Sequence, residues 1–336
     1  MCETLKMYNK ALVLTLSSVR SLEKELIRHG FRTRYTGSEI VFATLEALKE
    51  YSLSSDEKNF AKRLLATYER IVSERPASAG VLNILRTVIE SFLRSGLQTI
   101  PSVIMDLKSS YEKALWTVAD VACKRVSNGD VLMTNSNSLA VRRFFARLKE
   151  ENIEVEVYVP ESRPGLEGLL LAEYLERLGF SVNLIVDSAM RYFMKNVDKV
   201  FMGTEAVAAN GAVVSKAGSS LMALAAKEAR VRVYVLASLL KFSFESVYGE
   251  MIKLPEGGWE LLMDAETRNT LPENYFARAP IYDVTPPDYI DAIATEYGIF
   301  SPQAIPILLR EIYGSYPPSI IPLPKLVKQL EEAYRL

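Results

Sequence analysis

The chain has 336 residues, 49% hydrophobic and 24% charged, which is the composition of a folded globular protein with room for two domains. Its 40 basic side chains nearly cancel 41 acidic ones, so no broad field draws it to nucleic acid or an anionic membrane, and no apolar run is long enough to span a bilayer. Two cysteines far apart, Cys2 and Cys123, and a single histidine, His29, argue against a disulfide framework, a thiolate or multi-histidine metal site and a Ser-His-Asp triad.

The opening MCETLKMYNK is too polar for a secretory signal, which points to the cytoplasm. Residues 5–27 have helical apolar spacing, and Arg28, His29 and Gly30 form a plausible stop. Gly37, Ser38 and Glu39 precede an apolar run over 40–48, and Ser54 or Ser55 offers a cap for a helix containing Phe60, Leu64 and Tyr68. Glu74, Arg75 and Pro76 break the pattern, which resumes over 77–93. A longer repeat over 103–126 ends at Asn128-Gly129 and reads as a helix bridging two domains. Residues 1–128 are thus expected to form an all-helical domain, and 129–336 a second one.

From Asp130 the rhythm becomes strand, turn, helix. Strands are expected at 131–133, 153–159, 181–186, 197–202 and 231–236, with helices at 139–149 and 166–178. This alternation predicts an α/β parallel sheet. Residues 245–280 read as a surface excursion. Thr285-Pro286-Pro287 predicts a helix running to Tyr297 with Gly298 as its stop, Ser301-Pro302 another, and 324–334 a last one.

Four of these strands end in polar turns: TNSNS at 134–138, ESRP at 161–164, DS at 187–188, and Gly203-Thr204-Glu205 continuing to Asn210-Gly211 and Ser215-Lys216. In a parallel sheet such turns meet along one edge, where ligands of open α/β sheets bind. Hydroxyls, free amides and a helix start suit a phosphate, and Arg75, Arg163 and Lys216 would add charge-assisted bonds. Taken singly, each turn also fits ordinary helix capping. Ser136 is placed as a nucleophile without an evident base, and capping is its stronger reading. Glu205 reads equally as an acid or base and as the partner of Lys216 or Arg163. Lys241 can reach the same edge or simply be solvated. The glycine-rich dinucleotide and triphosphate motifs are absent, and neither a cofactor nor a metal is expected.

These residues carry a resemblance. Arg75-Pro76, MTNSNS at 133–138, ESRP with Glu167-Gly168, DSA at 187–189, VDKVFMGTEAVAANGAVVSKAG at 197–218, Lys241-Phe242 and YDVTPPDYIDAIATEYGIFSP at 282–302 stand in the order and spacing of the initiation factor 2B alpha/beta/delta family. That family also includes archaeal ribose-1,5-bisphosphate isomerase and methylthioribose-1-phosphate isomerase. The resemblance covers about 75–313; the tail beyond about 315 looks like an extension. It implies an N-terminal helical domain followed by a Rossmann-like domain, a homodimer or higher oligomer, and a pocket for a sugar phosphate or nucleoside monophosphate. It places the ligand contacts at Gly37, Ser38, Arg75, Ser138, Leu139, Ala140, Ser215, Lys216 and Lys241, and the polar turns themselves add Arg163 and Asn210. The isomerases it resembles carry His-Cys where this chain has Asn135-Ser136, aspartate at Glu205, asparagine at Ser215 and arginine at Thr36. Losing the thiol and the aspartate predicts a regulatory or assembly protein similar to the factor's alpha subunit, with initiation factor 2 as a possible partner. The alternative is an aldose–ketose isomerase using Ser136 and Glu205 instead.

Overall fold

The structure, a computed structural model, describes residues 36–336 apart from Tyr248, Glu250 and Glu273. The helix expected over 5–27, with its stop at His29, lies outside the described residues. Four helices come first: α1 (Gly37–Ser54), α2 (Glu57–Glu74), α3 (Ala79–Ser95) and α4 (Ile100–Cys123). Thr36 starts α1 with a capping box: its hydroxyl accepts from Glu39 N at 3.1 Å, and Glu39 accepts from Thr36 N at 2.7 Å. Asp56, not Ser54 or Ser55, caps α2 by accepting from Asn59 N at 2.8 Å. A carboxylate there also meets the positive end of the helix, which a serine does not.

Beyond α4, strand and helix alternate as expected. The strands are β1 (Val131–Met133), β2 (Glu156–Pro160), β3 (Ser181–Ile185), β4 (Lys199–Gly203) and β7 (Arg232–Leu236). Helices α5 (Leu139–Glu150) and α6 (Glu167–Arg177), a single turn α7 (Met190–Phe193) and α8 (Ser219–Ala229) link them. A hairpin of β5 (Ala206–Val207) and β6 (Val213–Lys216) intervenes between β4 and α8. The surface excursion holds a turn α9 (Phe244–Val247), a two-residue ladder of β8 (Glu256–Gly257) with β9 (Ala279–Pro280), and α10 (Ala265–Thr270). Strand β10 (Tyr282–Thr285) then pairs antiparallel with β6.

The helix expected from Pro287 to Tyr297 does not form. Pro287–Tyr289 make one 3-10 turn, and the chain continues as β11 (Ala292–Thr295), which pairs parallel with β7 and antiparallel with β12 (Gly298–Phe300). The run from Ile290 to Thr295 is too short for its period to separate helix from strand, and burial against β7 decides. Gly298 at φ +123° serves the β11–β12 turn rather than a helix end. Helices α11 (Ile305–Tyr313) and α12 (Leu323–Tyr334) close the chain.

The main sheet runs β12-β11-β7-β4-β1-β2-β3, parallel except for β12. Successive strand residues serve opposite faces. Leu132 and Phe201 join a cluster that continues through Phe144 and Phe145 into Val88, Ile89 and Phe92 of α3. Met133, Val200 and Met202 join a second cluster with Met222 of α8 and Leu309 of α11. Burial on both faces explains the unbroken apolar runs of these strands. Helix α4 packs on α1 and α3 and also on α5, β7 and β11, so the helical part and the sheet share one core. The tail is more than an appendage: α12 packs on α2 and α3, and Tyr334 stacks on Phe92 with centroids 5.1 Å apart.

Candidate functional site

The polar turns at the carboxyl ends of β1, β2 and β3 interlock in strand order. Ser136 N donates to Ser162 Oγ at 2.7 Å, and that hydroxyl donates to Pro160 O at 3.1 Å. Asp187 accepts from Ser162 N at 2.8 Å and from Arg163 N at 2.7 Å. Ser136 and Ser162 sit at φ +59° and +63°, a conformation non-glycine residues hold only when their surroundings enforce it. The fourth turn is tied in by Asn135 Nδ2, which donates to Ser219 Oγ at 2.9 Å, while Ser219 donates to Lys216 O at 2.7 Å. The Asp187 turn therefore buttresses the other loops and does not line the cavity they form.

That cavity encloses about 600 Å³ including its mouth. Gly37, Ser38, Arg75, Ser136, Ser138, Glu205, Ser215, Lys216 and Lys241 all line it, so nine of the sequence-derived positions come together. Leu139 and Ala140 are buried in the first turn of α5 and do not line it. Asn210 stays in the β5–β6 turn, where its side chain accepts from Ala212 N at 3.0 Å beside Gly211 at φ +82°. Arg163 turns away from the main cavity. Its guanidinium donates to Leu262 O at 2.7 Å, and it lines a smaller cavity of about 190 Å³ that shares Glu167 and Lys216 with the first.

Two lysines define the electrostatics. Lys216 Nζ lies 2.8 Å from Glu167 and 5.0 Å from the centre of the Tyr282 ring. Lys241, only 4% exposed and so not a solvated lysine, lies 3.4 Å from Glu205. The pairing thus differs from the expected one: Glu205 is held by Lys241, not by Lys216 or Arg163. Burial alone would lower Lys216, but Tyr282 and Glu167 outweigh it and hold the amine above its ordinary value despite the opposing Arg75. For Lys241 the same burial is outweighed by Glu205 and Tyr111. Burial lifts the Tyr111 phenol, although Lys241 pulls it down, and its OH donates to Ser38 Oγ at 2.7 Å.

Glu205 packs against the start of α1: a Cβ on Gly37 would fall 2.2 Å from both carboxylate oxygens. Its neighbour across the cavity, Glu167, opens α6 after Leu166 at φ +60°. Glu167 is marked in the sequence only by the resemblance; Asn137 and Thr204 of the polar turns and Ser219 at the start of α8 also line the cavity. Gly168 carried the missed signal. A Cβ there would fall 1.9 Å from Pro160 O, so only glycine lets α6 start against the end of β2 and bring Glu167 to Lys216. Among the described residues there is no cluster of metal-ligating side chains and no helix long and apolar enough to cross a membrane.

A cavity with one buried and one half-buried ammonium group, two carboxylates, several hydroxyls and helix starts can bond anionic and hydroxyl groups alike. Residues 35–302 match the model of the Initiation factor 2 subunit family. The chain belongs to this family. Among its relatives, the ribose 1,5-bisphosphate isomerase of Pyrococcus furiosus is 34% identical over 288 residues, 82% of this chain and 89% of that protein. The Haloferax volcanii protein of the same name is 31% identical over 300 residues, 88% and 93% of the two chains. The Pyrococcus horikoshii translation initiation factor eIF-2B superimposes with a TM-score of 0.71 at 27% identity, covering 83% of this chain and 96% of that one. The 5-methylthioribose 1-phosphate isomerase of the same organism shares the fold, with a TM-score of 0.70 at 20% identity over 88% of each chain.

Proposed function

We propose that this family member is an aldose–ketose isomerase acting on ribose 1,5-bisphosphate, the second of the two functions its sequence suggests. The observation that carries the reading is Glu205, a carboxylate in the cavity whose side-chain contact among the described residues is Lys241 at 3.4 Å, beside Ser136 and two cationic anchors. Relatives 31% to 34% identical over more than four fifths of the chain, all named ribose 1,5-bisphosphate isomerase, support it.

The reaction opens the sugar ring, moves a proton from C2 to C1 and transfers the C2 hydroxyl proton to the ring oxygen, leaving both phosphate esters intact. Lys216, Arg75 and Lys241 hold the phosphates. Ser136 binds a sugar oxygen, since a hydroxyl is a far weaker base than a thiol, whose ordinary pKa is about 8.5. Glu205 carries the proton between carbons. The test is a coupled assay for ribulose 1,5-bisphosphate. Glu205→Gln is expected to abolish turnover while ribose 1,5-bisphosphate still raises the melting temperature. Undiminished turnover in that variant sinks the assignment of Glu205.

Ser136 favours a second reading. Its hydroxyl stands where the isomerases the chain resembles carry a thiol, and a hydroxyl is a far weaker base. A member that binds a sugar phosphate or nucleoside monophosphate without converting it, in a regulatory role beside initiation factor 2, would bind the same ligand in the wild type yet show no turnover.

A further inference from the structure

Lys241 is the most deeply placed cation of the cavity, yet it sits at the end of a three-residue 3-10 turn, Leu239–Lys241, which by itself does not fix a side chain. What fixes it comes from α3. Asn83, 6% exposed, donates through one nitrogen to two carbonyls, Leu240 O at 2.9 Å and Phe242 O at 2.8 Å. These carbonyls belong to the residues on either side of Lys241. One turn earlier on the same helix face, Gly80 lies alongside the lysine stem: a Cβ there would stand in ordinary contact, 3.6 Å from Lys241 Cδ and 3.7 Å from Cε.

The amide is itself oriented. Arg86, three residues on, donates Nη1 to Asn83 Oδ1 at 2.7 Å. Its other nitrogens bond Glu245 and, at 3.2 Å, Ile321 O. Turning the amide over would face its NH2 toward a guanidinium and its oxygen toward two carbonyls, so the network admits one orientation. Asn83 and Arg86 are buried with their polar groups matched, the condition under which a polar network confers rigidity.

We propose that Asn83 is a positioning residue for Lys241, gripping the carbonyls that flank it while Arg86 locks the amide. Asn83 does not line the cavity, so its influence on the ligand runs through the lysine. The value of this arrangement for binding rests on the isomerase or sugar-phosphate reading above; the positioning itself does not.

Two measurements test it, on Asn83→Leu, which removes the donors at similar size, and on Asn83→Ser, which reaches at most one carbonyl and serves should the leucine variant fail to fold. The first needs no ligand: acetylation by acetic anhydride, read at Lys241 and Lys216 of the same molecules by peptide mass spectrometry. Lys241 is expected to react several-fold faster in the variants while Lys216 keeps its rate. Unchanged rates, or equal increases at both lysines, overturn the proposal. The second is a double-mutant cycle with Lys241→Met, read as the dissociation constant for ribose 1,5-bisphosphate. Asn83→Leu is expected to weaken binding about tenfold in the parent and by less than about twofold once Lys241 is gone, since residues acting through one another are not additive. Equal losses in both backgrounds overturn it. If the parent binds no ribose 1,5-bisphosphate, the functional reading falls and the acetylation ratio alone decides the positioning.

Discussion

Gly37→Ala separates the chemistry of this cavity from its stability. Gly37 is the first residue of α1, and the added Cβ would lie 2.2 Å from both oxygens of Glu205. An ordinary carbon–oxygen contact requires the carboxylate to retreat by about 1 Å. The fold tolerates this, because the displaced atoms end a flexible side chain and alanine is better in a helix than glycine by up to about 1 kcal/mol. On the isomerase reading catalysis does not tolerate it, since a misplacement of about 1 Å at a reacting group can cost on the order of 10²-fold. We therefore expect Gly37→Ala to melt at or slightly above the parent temperature and to lose roughly 10²-fold in kcat. Calorimetry and the ribulose 1,5-bisphosphate assay read the two quantities on one preparation. Full turnover in a variant of unchanged stability would refute the placement of the working carboxylate at the start of α1.

Three other expectations follow from the same geometry. Ser162→Ala leaves the Ser136 amide without its acceptor in a buried position, so urea unfolding should show a loss of about 1–3 kcal/mol. On the proposed reading Lys216 contacts a phosphate, so Lys216→Met should weaken ribose 1,5-bisphosphate binding by roughly 10–100-fold in titration calorimetry. Asp283 is pushed from its ordinary 3.8 up to about 6 by burial, against the pull of the Ser220 and Gly218 amides it accepts from. The folded state thus holds that proton more tightly than the unfolded chain, so the stability it contributes is full below about pH 4 and is lost as pH rises through about 6. Asp283→Asn should flatten that stretch, read as the difference in urea midpoints between parent and variant across pH 4 to 7.

The parts of this molecule legible in its sequence are those set by local pattern. Val200, Phe201 and Met202 read as a strand because both sheet faces are covered, and Gly211 reads as a turn because its φ of +82° suits glycine. The convergence of Ser136, Glu205 and Lys216 was legible because parallel strands deliver their carboxyl ends to one edge. Partners were not legible. Glu205 and Lys241 are 36 residues apart, Glu167 and Lys216 are 49 apart, and nothing in composition or spacing says which carboxylate takes which lysine. Arg163 misled for a related reason: its backbone amide belongs to the loop buttress, while its side chain, free to leave, bonds Leu262 O. The hairpin over β11 and β12 was hidden by two prolines that resemble a helix start as readily as a turn.

The two carboxylates of the cavity have different surroundings, and this bears on how the chain departs from the isomerases it resembles. Glu167 holds Lys216 at 2.8 Å, the geometry of a fixed anchor for an anion-binding amine. Glu205 meets Lys241 at 3.4 Å, long for a charge-assisted bond, and faces the cavity from the β4–β5 turn, against the first residue of α1. A group that exchanges a proton with substrate must give up its resting partner, and the longer contact is the easier one to surrender. A glutamate is one methylene longer than the aspartate expected at this position, and the missing Cβ of Gly37 leaves the space that its carboxylate occupies. Ser136, held in a left-handed conformation by Ser162, lines the cavity with a hydroxyl where the isomerases it resembles carry a thiol. On the isomerase reading proposed above, the proton-transfer work that the resemblance divides between a thiol and an aspartate falls in this chain on one carboxylate, Glu205.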